Sequence, residues 1–213
     1  MKSQVFAILL AVSALCLSAA DIPLPAANEF SDVSLKKALA LRKSGREYAG
    51  KELPLPMLSA LLWSADGINR ADGKRTAPTG LNVQDIDIYV ILSSGVYLYD
   101  AKENLLKEIQ QGDFREAAGK QPFVQTAPVN LVYVQNLDKA MKGDETTKAR
   151  HGGIHTGAIM QNVYLFCAAN GLACVARDYV DRPVLIRTLR LKESQRIMLA
   201  HTVGFPADAK DQR

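Results

Sequence analysis

The chain is poor in cysteine, with Cys16, Cys167 and Cys174 the only three in 213 residues. So few exclude the disulfide framework of a small secreted scaffold. Cys167 and Cys174 read most simply as buried small hydrophobes, with a disulfide left open in an oxidising compartment. Dense basic clusters are also missing. The 26 Lys and Arg and 22 Asp and Glu residues are interspersed, and the formal charge is only +4. That pattern excludes a nucleic-acid-binding stripe. Internal repeats and low-complexity tracts are absent. Beyond the N-terminus no apolar run approaches the roughly 20 residues needed to span a bilayer, so no membrane association is expected of a mature chain.

What is present begins with an apolar leader. Lys2 gives a short positive start, residues 5–17 are almost unbroken apolar, and Ser18-Ala19-Ala20 supplies small side chains before Asp21. This is the pattern of a secretory signal peptide over residues 1–20, which places the protein across the inner membrane and in the periplasm. A core helix would show polar residues at helical spacing, and only Ser13 interrupts the run. A lipid anchor on Cys16 would want a small residue before it, where Leu15 stands.

Residues 21–33, with Pro23 and Pro25, read as an extended linker or arm, and 34–213 as one domain. Helices are expected over 34–43 with Ser34 as N-cap, and from Pro56 to about Gly67. Residues 86–92 and 96–99 form a hairpin around Ser93-Ser94-Gly95, 105–109 adds a strand, and 114–118 a short helix. A buried strand follows at 129–134. Residues 137–150 are polar and look the least ordered. The longest helix is then expected over 154–170, ended by Gly171. A short strand at 173–176, a helix at 183–189 capped by Asp181 and a strand at 196–203 complete the reading. Helices mixed with hairpins point to an α+β class with a mixed or antiparallel sheet.

Three stretches carry candidate chemistry. Arg42-Lys43-Ser44-Gly45-Arg46 offers two guanidiniums, an ammonium and a hydroxyl, which grip a phosphate and donate to a planar heterocycle. A basic helix end is equally ordinary dipole chemistry. In Thr76–Gln84, Asn82 and Gln84 fall on one side of the chain if it is extended, and each carboxamide matches the edge of a uracil-like ring. An amide-rich turn capping its own backbone fits the same residues. The third stretch is a mostly buried helix carrying Gln161-Asn162 and leaving through Asn170-Gly171-Leu172.

Together these segments resemble the nitroreductase family, which binds flavin mononucleotide (FMN) at the interface of an intertwined homodimer. The family's basic-x-Ser-x-basic opening is matched by Arg42, Ser44 and Arg46. Its Ala-Pro-Ser/Thr-x-x-Asn-x-Gln turn is matched by Ala77-Pro78-Thr79, Asn82 and Gln84. Gln161, Asn162, Gly171, Leu172 and Val203-Gly204-Phe205-Pro206 match its closing elements. Trp63, Gly67, Asn69 and Arg70 before Gly73-Lys74-Arg75-Thr76 look like the branch related to azoline oxidases.

The resemblance implies an FMN-dependent oxidoreductase acting on a small organic acceptor, such as a nitroaromatic or a quinone. Arg42 and Ser44 would hold the phosphate, and Arg46 the pyrimidine edge, where a positive donor stabilises reduced flavin. Asn82 would bond the ring edge, while Thr79 and Gln84 line the other subunit's side. Many members carry Arg-Gly, with backbone amides approaching the flavin, where this chain has Arg177-Asp178, and a basic residue after the Pro206 region that completes the phosphate grip, for which Lys210 and Arg213 are the candidates. The resemblance thus adds Arg177 and Lys210 to the cofactor site. His151 and His155 have metal-like spacing, but Gly152-Gly153 argues against a helix there and no third ligand is evident. The flavin carries the chemistry, so no protein catalytic residue is assigned. The electron donor is NAD(P)H or a periplasmic reductant. The rival reading is a flavin-binding protein without turnover.

Overall fold

The computed structural model describes residues 20–207. The leader through Ala19 and the tail with Lys210 and Arg213 lie outside the described residues. Seven strands form one sheet: β1 (Ile22–Pro23), β2 (Ile86–Ile91), β3 (Gly95–Asp100), β4 (Leu105–Gln111), β5 (Val129–Asn136), β6 (Ala173–Arg177) and β7 (Gln195–Gly204). Their order is β1-β4-β3-β2-β5-β7-β6, and every neighbouring pair is antiparallel. The antiparallel sheet places the chain in the α+β class, and helices pack on both of its faces.

Alternation along the strands sorts their side chains between two cores. Ile86, Ile88, Val90, Leu131 and Tyr133 face α2 (Leu55–Asp66) and α4 (Glu145–Ala169). Tyr89, Ile91, Val132 and Val134 face the other way, toward Leu185 and its neighbours on α5 (Arg182–Thr188). Two shorter helices, α1 (Leu35–Leu41) and α3 (Phe123–Thr126), complete the set. The caps follow the sequence. Ser34 accepts from Lys37 N–H, Asp181 from Val184 N–H, and Pro56 sits in the first turn of α2. The arm is extended and docked: Ile22 and Pro23 pair with Leu106 and Leu105, and Phe30 meets Trp63 and Phe166 edge-on.

One expectation fails clearly. The helix anticipated at 154–170 starts nine residues earlier, at Glu145, with Asp144 as its N-cap. The polar run at 137–150 is therefore partly helical, and Gly152-Gly153 lies inside α4. The reason is packing. A Cβ on Gly152 would stand 2.5 Å from Gln135 Cδ, whereas nothing lies within 4 Å of one on Gly153. The first glycine lets α4 approach β5, and tertiary contact overrides its poor propensity. Gly153→Ala is thus expected to stabilise the fold by about 0.5–1 kcal/mol, as alanine normally does in a helix. Gly152→Ala should lose about 1–3 kcal/mol by overpacking. Urea denaturation of the pair checks this, and equal gains from both would refute the packing account.

Candidate functional site

The basic stretch sits where α1 stops. Arg42 is the C-cap, and the chain then runs beside β6, with Gly45 N–H donating to the Cys174 carbonyl at 2.9 Å. A side chain on Gly45 would press its Cβ to 3.0 Å from Ala173 Cβ, so the close approach favours glycine. Tyr164 on α4 ties the region together. Its hydroxyl is 3.0 Å from Ser44 Oγ and accepts from Ala176 N–H at 2.9 Å. The Arg42 guanidinium lies 5.3 Å from the centre of the same ring, a cation–π contact.

This segment walls a cavity of about 690 Å³, lined by Lys43, Ser44 and Arg46 together with Glu47, Cys174 and Pro206. The volume is that of a small-molecule pocket, roughly 300–1,000 Å³. Two cations and a hydroxyl on one wall suit an anionic group. Arg42 is not in the lining; it is engaged on the Tyr164 ring beside it. Cys167 and Cys174 are free and buried, and burial pushes the Cys167 thiol well above its ordinary value.

The second stretch lies elsewhere, and its shape is that of the amide-rich turn, not of the extended chain. Gly80–Asn82 is a 3₁₀ turn, and Leu81, Asn82 and Gln84 have φ of 52°, 54° and 48°. The chain is therefore not extended there, and the two carboxamides do not line up on a strand. Gln84 instead braces the turn. Its Nε2 donates to Gly73 O and Asn82 Oδ1, its Oε1 accepts from Arg75 Nε, and its N–H donates to Thr79 Oγ1. Left-handed backbone at non-glycine residues costs about 1–3 kcal/mol each and persists only where surroundings enforce it. None of Thr79, Asn82 or Gln84 lines the cavity.

Two charged supports behind this turn escaped the sequence reading. Arg75 Nη1 donates to the Asp66 carbonyl at 2.8 Å and lies 3.4 Å from its Oδ2, while Asp66 Oδ1 has no partner among the described residues. Burial raises the Asp66 pKa to about 7, against the lowering pull of Arg75. On the other side, His155 Nδ1 is 2.6 Å from Asp85 Oδ1, and Gly80 N–H donates to His155 Nε2 at 2.9 Å. Nothing marked Asp85 in the sequence. His155 was visible as one of a pair, but only the helix running through Gly152-Gly153 turns it inward. Among the described residues, no group of three or more His, Cys, Asp or Glu is arranged to hold a metal ion.

Arg177, assigned to the cofactor by resemblance, does not face the cavity. Its guanidinium is buried in the sheet and donates to Ala118 O at 2.6 Å, to Asn130 Oδ1 at 3.0 Å and to Thr202 Oγ1. Strand alternation turns it inward, where these acceptors hold it. Asp178 is exposed and bonded to Arg182.

The geometry leaves two half-sites on one long helix. Tyr164 anchors the basic stretch and His155 the carboxamide turn, nine residues apart and so about 13 Å along the axis.

Comparison with known proteins agrees with the motifs. The profile of the nitroreductase family matches residues 39–205. A nitroreductase-class protein of Ralstonia eutropha JMP134 is 37% identical, with a TM-score of 0.83 over 88% of this chain and 90% of its own. A Methanocaldococcus jannaschii protein named for the same class is 28% identical over 183 residues, which cover 81% of this chain and 91% of that one. A Desulfovibrio desulfuricans structure in complex with FMN shares the fold at 20% identity, with a TM-score of 0.60 over 84% of this chain and 89% of that chain. By motif order, fold and a relative matched along nearly its whole length, this chain belongs to the nitroreductase family.

Proposed function

We propose that the protein is an FMN-dependent oxidoreductase that works as a homodimer. The observation that carries this reading is the split site. A cavity with phosphate-binding chemistry lies beside Tyr164, toward the C-terminal end of α4, and the carboxamide turn lies beside His155, near the middle of the helix, outside the cavity lining, so one chain does not close a pocket around a flavin. A second copy, laid against the first, would bring its turn to the cavity. Leu35, Leu39 and Leu41 on α1, Ile154 on α4 and Leu81 in the turn are exposed apolar residues beside these half-sites. They supply the apolar surface that a stable dimer buries.

The donors on the cavity wall, Lys43, Ser44 and Arg46, fit the anionic phosphate and pyrimidine edge of FMN. Ser44 would hold the phosphate, with Arg42 once it turns from the Tyr164 ring beside the wall, Arg46 the pyrimidine edge, and Asn82, Thr79 and Gln84 the ring and the opposing wall. When bound, FMN supplies the electron and hydride transfer, and the protein contributes binding, orientation and charge. A small organic acceptor, a nitroaromatic or a quinone, fits a shared pocket that donor and acceptor occupy in turn. The leader supports an exported, periplasmic protein that acquires FMN after crossing the membrane and draws on either NAD(P)H or a periplasmic reductant.

Purified mature protein is expected to be yellow or to turn yellow on addition of FMN, and to elute as a dimer. Arg46→Ala should weaken FMN binding about 10–100-fold, the worth of a charge-assisted contact, read by quenching of flavin fluorescence. A colourless protein that refuses FMN would sink the proposal. A yellow protein whose reduced flavin no quinone or nitroaromatic reoxidises would favour a flavin-binding protein without turnover.

A further inference from the structure

The turn at Gly80–Gln84 holds three non-glycine residues in left-handed backbone, which needs an external restraint. Among the described residues, its hydrogen bond from α4 comes from one side chain. Gly80 N–H donates to His155 Nε2 at 2.9 Å, which requires that nitrogen to carry no proton. The proton then sits on Nδ1 and is donated to Asp85 Oδ1 at 2.6 Å, while Gln135 Nε2 donates to Asp85 Oδ2 at 2.8 Å and to the Lys148 carbonyl at 3.0 Å. Asp85 and His155 are almost wholly buried, so the chain of bonds has no water to replace it. Gly80 also packs tightly against α4 and Met141: a Cβ there would stand 2.8 Å from Met141 Sδ and 3.5 Å from His155 Nε2.

We propose that His155 is a positioning residue of the flavin site: as the Nδ1-protonated tautomer fixed by Asp85, it holds the Gly80 amide and thereby sets the Asn82 carboxamide for the ring edge. The inference deepens the flavin reading and, for its ligand arm, rests on it. It differs from a purely structural histidine in assigning separate consequences to the two ring nitrogens. Gly152 belongs to the same device, because its missing side chain admits Gln135 to Asp85.

Two substitutions separate the nitrogens. His155→Gln places an acceptor near the Nε2 position and abandons Asp85. His155→Asn keeps a donor near the Nδ1 position and abandons Gly80. FMN affinity is expected to fall about tenfold or more in His155→Asn, one hydrogen bond's worth, and less than threefold in His155→Gln. Amide exchange of residues 80–84 in the flavin-free protein should accelerate in the first and stay near wild type in the second. Thermal stability should show the opposite order, because His155→Gln leaves Asp85 short of its donor. Equal loss of affinity in both variants, or unchanged exchange in His155→Asn, would overturn the proposal.

Should either variant fail to fold, nitrogen-15 spectra of wild-type His155 decide the same point. A proton on Nδ1 and a coupling from Gly80 N–H to Nε2 are expected, and a proton on Nε2 refutes the clamp. If wild-type protein binds no FMN, the flavin reading fails, while the exchange and tautomer measurements still judge the clamp.

Discussion

Arg177→Ala is expected to destabilise the fold by about 2–5 kcal/mol, a large share of the roughly 5–15 kcal/mol that holds a domain folded. Among the described residues no carboxylate pairs with this buried cation; its charge is met by neutral oxygens of Ala118, Asn130 and Thr202. Desolvation dominates, lowering the Arg177 pKa to about 10. Truncation strands the Ala118 carbonyl and opens a cavity at the junction of β6, β7 and the 3₁₀ turn at Arg115–Ala118. Arg177→Lys should rescue little, because one ammonium cannot reproduce the forked contacts. Arg177→Met should recover part of the loss, since it fills volume without burying charge. Gly119 faces this guanidinium so closely that any Cβ would stand inside it. Urea unfolding of the three variants measures the series, and an alanine variant within 1 kcal/mol of wild type would refute the structural role.

The second large effect concerns acid. His201 on β7 is fully buried, and desolvation, with the Arg177 charge, lowers its pKa to about 3 from 6.5. Between about pH 3 and 6.5 the unfolded chain therefore binds a proton that the folded one refuses, and stability falls as pH falls. Asp66 works in the opposite sense. Its folded pKa of about 7 exceeds the ordinary carboxyl value of 3.8, so the folded chain holds a proton the unfolded one has released. Its contribution grows as pH falls from 7 to about 4. Each group alone imposes up to about 1.4 kcal/mol per pH unit, and between pH 4 and 6.5 the two slopes oppose each other. Wild type should thus show little net slope from this pair. Asp66→Asn should uncover a steep acid loss, and His201→Gln a gain toward acid. Parallel profiles for wild type and Asp66→Asn, from denaturation at successive pH values, would contradict this balance.

Much of the fold was legible because local signals agreed with global ones. Ser34, Pro56, Asp181 and Gly171 mark helix ends as their chemistry requires, and the 86–99 hairpin follows from branched residues around Ser93-Ser94-Gly95. The start of α4 was hidden because Gly152 reads as a breaker until Gln135, distant in sequence, shows why no side chain fits. For the site, the order of motifs identified Ser44 and Arg46 on the cavity wall. The turn at Leu81–Gln84 was one of two readings open in the sequence, and what decides for it, bracing by Arg75 and His155, lies too far along the chain to be read locally. The burial of the Arg177 side chain was hidden for a related reason. A motif fixes a residue's place along the chain, but strand alternation decides which way its side chain turns.

The strand order has a bearing on when the sheet can form. β7, the last strand of the described chain, is inserted between β5 and β6, and its partners on β5 lie more than 50 residues earlier. Until it arrives, β5 has an open edge and β6 has no strand to join. A nascent chain therefore cannot complete its central pairing until residues 195–204 have been synthesised, and such distant pairings are slow to form. Delayed closure of this kind would suit the exported chain proposed above, by keeping the polypeptide loose enough to be threaded across a membrane before it folds.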